Sequence, residues 1–225
     1  MAVTLRSLFR RKKEVSEFHS DAYWRDRYEA GGNSGAGSYG RLAEYKAGFI
    51  NDLVKTHEVQ SVIEFGSGDG NQCSLLTIEN YTGVDISPAV VTACRKRFAG
   101  RENWQFLTDA EYQVNPAQAD MSMSLDVIYH LVEDAIFERY METLFSASRR
   151  FVLVYSSDTD TPSRATHVRH RSYSNWIAAH APAFALVEAF EQPYPMRPGS
   201  DPRTTSFASF KLFARPCDTL SEGKP

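Results

Sequence analysis

The densest chemical signal in the chain is Glu64-Phe65-Gly66-Ser67-Gly68-Asp69-Gly70. Glycine at alternate positions lets a chain turn sharply and lets a ligand approach the backbone closely. The spacing is GxGxG, not the GxGxxG of pyrophosphate-binding turns. Asp69 inside the turn would repel a pyrophosphate, so the turn suits a cationic or zwitterionic ligand. Glu64 lies in an apolar run, where a buried carboxylate needs a partner. A ligand ammonium or a backbone network would serve. Asp85 follows Gly66 by 19 residues, the station at which a carboxylate grips a ribose diol. Asp109-Ala110 comes after the next apolar run, where an adenine would be read.

A second group carries acid–base and charge chemistry. Asp126, Tyr129 and His130 follow a fourth apolar run. His130 and His167 are candidate general bases, because an unperturbed imidazole titrates near about 6.5. Asp126 is a third candidate, or a turn former that holds the loop. Arg164, His167, Arg169, His170 and Arg171 make a positive patch on a mildly acidic chain. Arginine forks suit a phosphate or carboxylate of a substrate, so Arg164, Arg169, His170, Arg171 and Tyr129 are read as substrate contacts. The bland alternative is a solvated basic loop. Asp126, Asp158 and Asp160 are the acids a divalent ion would use. They have no dedicated ligand spacing, and no metal is assigned.

These residues need a frame. Ser61–Phe65, Tyr81–Ile86, Trp104–Leu107, Met121–Val127 and Phe151–Tyr155 read as strands, mostly apolar as in a sheet covered on both faces. Helical spacing predicts helices over 41–57, 71–78, 88–98, 133–148 and 174–181. Ser87-Pro88 gives the third of these a serine cap and an N1 proline. Two further strands, 184–190 and 206–214, follow without a helix between them and predict an antiparallel edge. Alternation of strand and helix makes the fold class α/β, a doubly wound, mostly parallel sheet. Loops at the carboxyl ends of its strands form the site.

VIEFGSGDG, YTGVDIS, FLTDAEY and ADMSMSLDVIYHL together resemble the motif series of class I S-adenosylmethionine-dependent methyltransferases of small-molecule type. The resemblance covers about Val62 to Leu131, and the strand–helix order extends it to about Ala214. It implies a Rossmann-like sheet of seven strands with the last antiparallel, and S-adenosylmethionine as cofactor. It also implies roles for residues. Glu64, Gly66, Ser67, Gly68 and Asp69 line the methionine end, Asp85 takes the ribose, Ile86 packs on the adenine, and Asp109 with Ala110 meets its amino group. Tyr23-Trp24 and Tyr28, followed by GGNSGAGSYG, look like the N-terminal cover of several such enzymes. The alternative is that these aromatics simply pack.

The resulting division is a basic arm (1–20), a cover segment with a glycine loop and helix (21–58), a cofactor-binding core (59–215) and a polar tail (216–225). The expected activity is methyl transfer to an oxygen or nitrogen of a small, anionic molecule such as a sugar or glycan precursor. Rival readings are a protein or nucleic-acid methyltransferase, a nicotinamide oxidoreductase, which the glycine spacing disfavours, and a non-catalytic cofactor-binding module. Whole-chain properties narrow these. A net charge of −3 over 225 residues gives no global basic field, which disfavours a dedicated nucleic-acid clamp. Cys73, Cys94 and Cys217 have neither zinc spacing nor a disulfide framework. No apolar run spans a bilayer, and the N-terminus does not read as a signal peptide. A reducing cytoplasm is expected, with weak membrane contact through the basic arm as the one peripheral option.

Overall fold

The computed structural model describes residues 18–216. Residues 1–17 of the expected arm and 217–225 of the expected tail lie outside the described residues. Seven strands form one sheet: β1 (Ser61–Phe65), β2 (Asn80–Asp85), β3 (Trp104–Thr108), β4 (Ala119–Leu125), β5 (Ser148–Ser156), β6 (Ala185–Ala189) and β7 (Ser209–Ala214). Their spatial order is β3-β2-β1-β4-β5-β7-β6. β1, β2, β3, β4 and β5 pair in parallel, and β7 runs antiparallel to both β5 and β6. This is the doubly wound, mostly parallel sheet with an antiparallel edge that the strand pattern predicts, with the seven strands that the resemblance implies.

Six helices cover it: α1 (Ser20–Glu29), α2 (Gly40–Thr56), α3 (Pro88–Arg97), α4 (Asp109–Val114), α5 (Asp134–Ser146) and α6 (Tyr173–His180). The core lies in two layers, one on each face of the sheet. In one, Ile50 and Leu53 of α2 and Val91 and Cys94 of α3 pack on Tyr81, Met121 and Leu153. In the other, Phe137, Met141 and Leu144 of α5 and Ile177 of α6 pack on Ile63, Val152 and Val154. Both faces being covered explains why the central strands read as continuous apolar runs.

Three local outcomes differ from the sequence reading. The helix expected over 71–78 is only a 3-10 turn, Cys73–Leu75. The Asn51 side chain donates to the Leu75 carbonyl (3.1 Å) and accepts from Thr77 N (2.9 Å), so it takes backbone groups that a helix would use. β4 stops at Leu125 rather than Val127, because Asp126 turns the chain with φ +60°. Two helices were not anticipated. α1 is polar on most sides, with only Ser20 buried. α4 has a full capping box, Thr108 with Glu111, and the TDAE string that encodes it is visible in the sequence.

The parallel strands end together. Val84 is in register with Phe65, which is also in register with Ser124, while Asp85 pairs with Thr108. Sheet order reverses between β1 and β4, so a crevice opens above them. Gly70, in the turn after β1, has φ +77°, and an added Cβ would lie 2.8 Å from Phe98 and 2.9 Å from the Cys94 sulfur. Left-handed strain and overpacking then act together. Gly70→Ala is expected to lower unfolding stability by about 3 kcal/mol, read as a reduced urea midpoint at unchanged slope.

Candidate active site

One cavity opens at the carboxyl ends of β1, β2 and β4, with an empty volume of about 1140 Å³ including its mouth. Glu64, Gly66, Ser67, Asp85, Ile86 and Asp109 line it, in the sheet order that the sequence reading placed them. So do Asp126 and His130. Gly68, Asp69, Ala110, Tyr129, His167, Arg164, Arg169, His170 and Arg171 are not among its lining residues.

The acids differ because their surroundings differ. Asp85 is buried, and its two oxygens each accept one backbone N–H, from Gly68 (2.9 Å) and Ser87 (2.9 Å). Burial raises its pKa to about 6 against the pull of those bonds. Each oxygen keeps a lone pair free for a diol. Glu64 accepts from the Tyr81 hydroxyl at 2.5 Å. Burial pushes its pKa to about 7, opposed by the Tyr81 bond and by the Lys46 charge. Near it, the buried Gln72 carboxamide oxygen lines the cavity without a hydrogen-bond donor. An ammonium placed between Glu64 and Gln72 would satisfy both, which suits the zwitterionic end of a cofactor.

Asp69 does something else. Burial alone would raise its pKa, but bonds from Ser34 N (2.8 Å), Asn71 N (3.0 Å) and the Tyr39 hydroxyl (2.7 Å) hold it low. Ser34 Oγ in turn accepts from Asp69 N at 2.9 Å. The charge expected to face a ligand thus fastens the glycine loop 31–40 onto the cofactor turn. Gly68, at φ +58°, makes this possible, since a Cβ there would collide with Ser34 Oγ. At its other end, α1 is tied through Ser20, whose N and Oγ donate to Glu133 (2.8 and 2.5 Å).

Asp126 is gripped on both oxygens. The Lys46 ammonium lies 2.6 Å from one and the Tyr129 hydroxyl donates to the other at 2.8 Å. Lys46 is fully buried, and nothing in the sequence reading singled it out. The signal was there: it sits on the apolar stripe of α2, four residues from both Leu42 and Ile50. His130 bonds through Nδ1 to the His167 carbonyl at 2.8 Å. A carbonyl only accepts, so Nδ1 carries the proton and Nε2 keeps its lone pair. Burial lowers the His130 pKa to about 4, so the ring is neutral near pH 7. Its ring stacks with that of His167 (5.6 Å), which stacks in turn on Tyr23 (5.3 Å).

The basic loop points away from the cavity. Arg171 is buried and donates to the carbonyls of Leu131 (2.8 Å) and Val132 (3.0 Å) and to Asp134 (2.8 Å). Arg169 donates to the Val132 carbonyl and pairs with Asp134 at 3.0 Å. Their forks hold the loop onto the start of α5 instead of reaching an acceptor. His170 bonds Ser157 at 2.6 Å, and Arg164 is exposed. The three acids weighed for a divalent ion have separate partners: Asp158 accepts from Ser174 and pairs with Lys211, Asp160 accepts from the Ser172 N–H, and Asp126 pairs with Lys46. Among the described residues no cluster of three metal-ligating side chains occurs.

Residues 63–151 match the family model described as a methyltransferase domain. Those residues thus carry a methyltransferase domain, in keeping with the class that the sequence motifs resemble. No curated protein matches the sequence. Solved structures similar to this chain include the magnesium protoporphyrin IX methyltransferase of Synechocystis PCC 6803 with bound SAM. It has 14% identity and a TM-score of 0.61, over 89% of this chain and 99% of that one. The N-methyltransferase NodS of Bradyrhizobium japonicum WM9, in complex with S-adenosyl-L-homocysteine, has 15% identity and a TM-score of 0.60, over 78% and 87%. The methyltransferase domain of bacterial CtHen1 has 18% identity and a TM-score of 0.59, over 76% and 96%. At these identities the likeness is one of fold. Among the described residues no helix is long and apolar enough to cross a membrane.

The raised acids set a pH dependence of the free protein. Glu64 and Asp85 hold folded pKa values above their unfolded ones, so their stabilising contribution is present at low pH and is lost as pH rises through about 6 to 7. Between pH 5 and 8, wild type is expected to lose more stability than Glu64→Gln, by on the order of 2–3 kcal/mol, in urea unfolding without cofactor. Equal losses in the two proteins would remove Glu64 as the cause.

Proposed function

We propose that this enzyme transfers the methyl group of S-adenosylmethionine to an oxygen or nitrogen atom of a small molecule bound beneath α1. The observation that carries this reading is the row of acids lining one cavity: Glu64 from β1, Asp85 from β2 and Asp109 from the β3–α4 junction. Glu64 and the Gln72 oxygen take the cofactor ammonium. Asp85 takes the ribose hydroxyls, Ile86 the adenine face, and Asp109 its amino group. The bound cofactor supplies a methyl group on a positively charged sulfur, already reactive toward a lone pair. The protein's task is therefore alignment and exclusion of water. α1 and the glycine loop provide the cover, tied down at Ser20 and at Asp69. Nε2 of His130 is the proton acceptor for a hydroxyl. Asp126, held by Lys46 and Tyr129, fixes the floor beside it.

Two finer expectations lose their support. The anionic sugar or glycan precursor rested on the Arg164–Arg171 loop, and a protein or nucleic-acid docking surface on that loop together with the basic arm, of which residues 1–17 lie outside the described residues. Arg169 and Arg171 are already bonded to the 131–134 segment, which engages two of the loop's three arginines.

Calorimetric titration tests the cofactor reading. S-adenosylmethionine and S-adenosylhomocysteine are expected to bind with micromolar affinity, and NADH not at all. Asp85→Ala is expected to weaken cofactor binding at least tenfold, as the loss of bonds to a charged group of about 1.5–3 kcal/mol implies. Binding of NADH alone would overturn the assignment. Bound cofactor requires ionised Glu64 and Asp85, which protonate below about 7 and about 6. Affinity should therefore fall from pH 8 to pH 5.5, with net proton release on binding near pH 6.5. Titrations in buffers of different ionisation enthalpy read that release.

A further inference from the structure

Resting on that reading, we infer that the acceptor is an organic amine on a flat or apolar body, and not an anion. With Glu64, Asp85 and Asp109 assigned to the cofactor, the remaining lining residues include Trp24, Tyr28, His130, Asp21 and Asp126. The rings of Trp24 and Tyr28 lie 5.9 Å apart, and His130 meets the Trp24 indole edge-to-face at 4.8 Å. Three aromatic rings at one end of a cavity accept a flat body, and their faces attract a cation. The indole already carries one cation, the Arg27 guanidinium at 5.6 Å. Arg27 is tied to the Asn33 carbonyl (2.7 Å) and does not line the cavity.

Charge points the same way. Among the described residues, the only cationic side chain that lines the cavity is Arg139, exposed on α5. Lys46 is behind Asp126 and neutralised by it. An anionic acceptor would face Asp21 and the field of the cofactor acids with no partner. An ammonium would face carboxylates and ring faces. The ammonium releases one proton to water before transfer, which burial favours by lowering its pKa. The freed nitrogen lone pair then forms the N–C bond to the methyl carbon. The C–S bond breaks, its electron pair stays on sulfur, and the products are S-adenosylhomocysteine and the methylated ammonium.

The test uses the full chain saturated with S-adenosylhomocysteine and three probes sharing one body: 3-phenylpropylamine, 3-phenylpropanol and 3-phenylpropionate. The amine is expected to bind at least tenfold more tightly than the carboxylate and more tightly than the alcohol. Trp24→Leu is expected to weaken amine binding at least fivefold while the S-adenosylhomocysteine affinity stays within twofold. With S-adenosylmethionine, product formation from the amine should rise with pH between 7 and 9. Carboxylate binding equal to or tighter than amine binding, absence of amine binding, or an unchanged preference in Trp24→Leu overturns the inference. In each of those cases retained S-adenosylhomocysteine binding leaves the cofactor reading standing. Loss of that binding in wild type would instead remove the reading beneath it.

Discussion

An ammonium without water must have a carboxylate beside it, and in this fold that requirement fixes the meeting of three elements. Lys46 leaves α2 inside an apolar layer and ends on Asp126, the first residue after β4. Burying such a pair gains little stability in itself, since desolvation offsets the attraction. Removing one partner would leave a naked charge in the core, which is strongly unfavourable. The pair therefore acts as a constraint on geometry. It places α2 against the sheet's carboxyl edge, and it holds Asp126 in a left-handed backbone conformation that turns the following segment toward the cavity. Tyr129 and His130 stand where they do because of that turn.

Around this fixed point the acids divide into those that are answered and those that are not. Asp69 and Asp126 have full sets of donors from the protein itself. Glu64 and Asp85 keep unfilled valence and raised pKa values in the same small volume. Perturbed groups that converge in a cleft are where ligands bind. The division also runs through the glycine turn: Asp69 fastens the 31–40 loop, while Gly66 and Ser67 line the cavity. One short segment thus both borders the cavity and holds the loop beside it.

Much of the frame was legible because it follows from periodicity. Strand positions, the antiparallel edge and the stations of Glu64, Asp85 and Asp109 follow from apolar runs ending in glycine or acid. What could not be read depended on tertiary partners. Asn51 reaches across from α2 to dissolve the expected helix at 71–78. Arg169 and Arg171 looked available because a sequence displays charge without showing which carbonyls stand opposite. Lys46 was hidden by the reverse assumption, that a lysine faces water. The capping box of α4 was in plain view in residues 108–111, and the position of Asp109 at a helix start follows from it.

One edge of the sheet has a consequence for the protein in company. β6 is exposed at every position, with Leu186 and Val187 more than half open to solvent. Such a strand presents unpaired amides and carbonyls to any chain in an extended conformation. Its pairing with β7 slips between Leu186 and Glu188, so that two residues oppose one. That bulge breaks the flat register a second chain would need for zipping along the edge, and Glu188 sets a charge beside it. The same irregularity that makes β6 a poor strand also makes it a poor template for self-assembly.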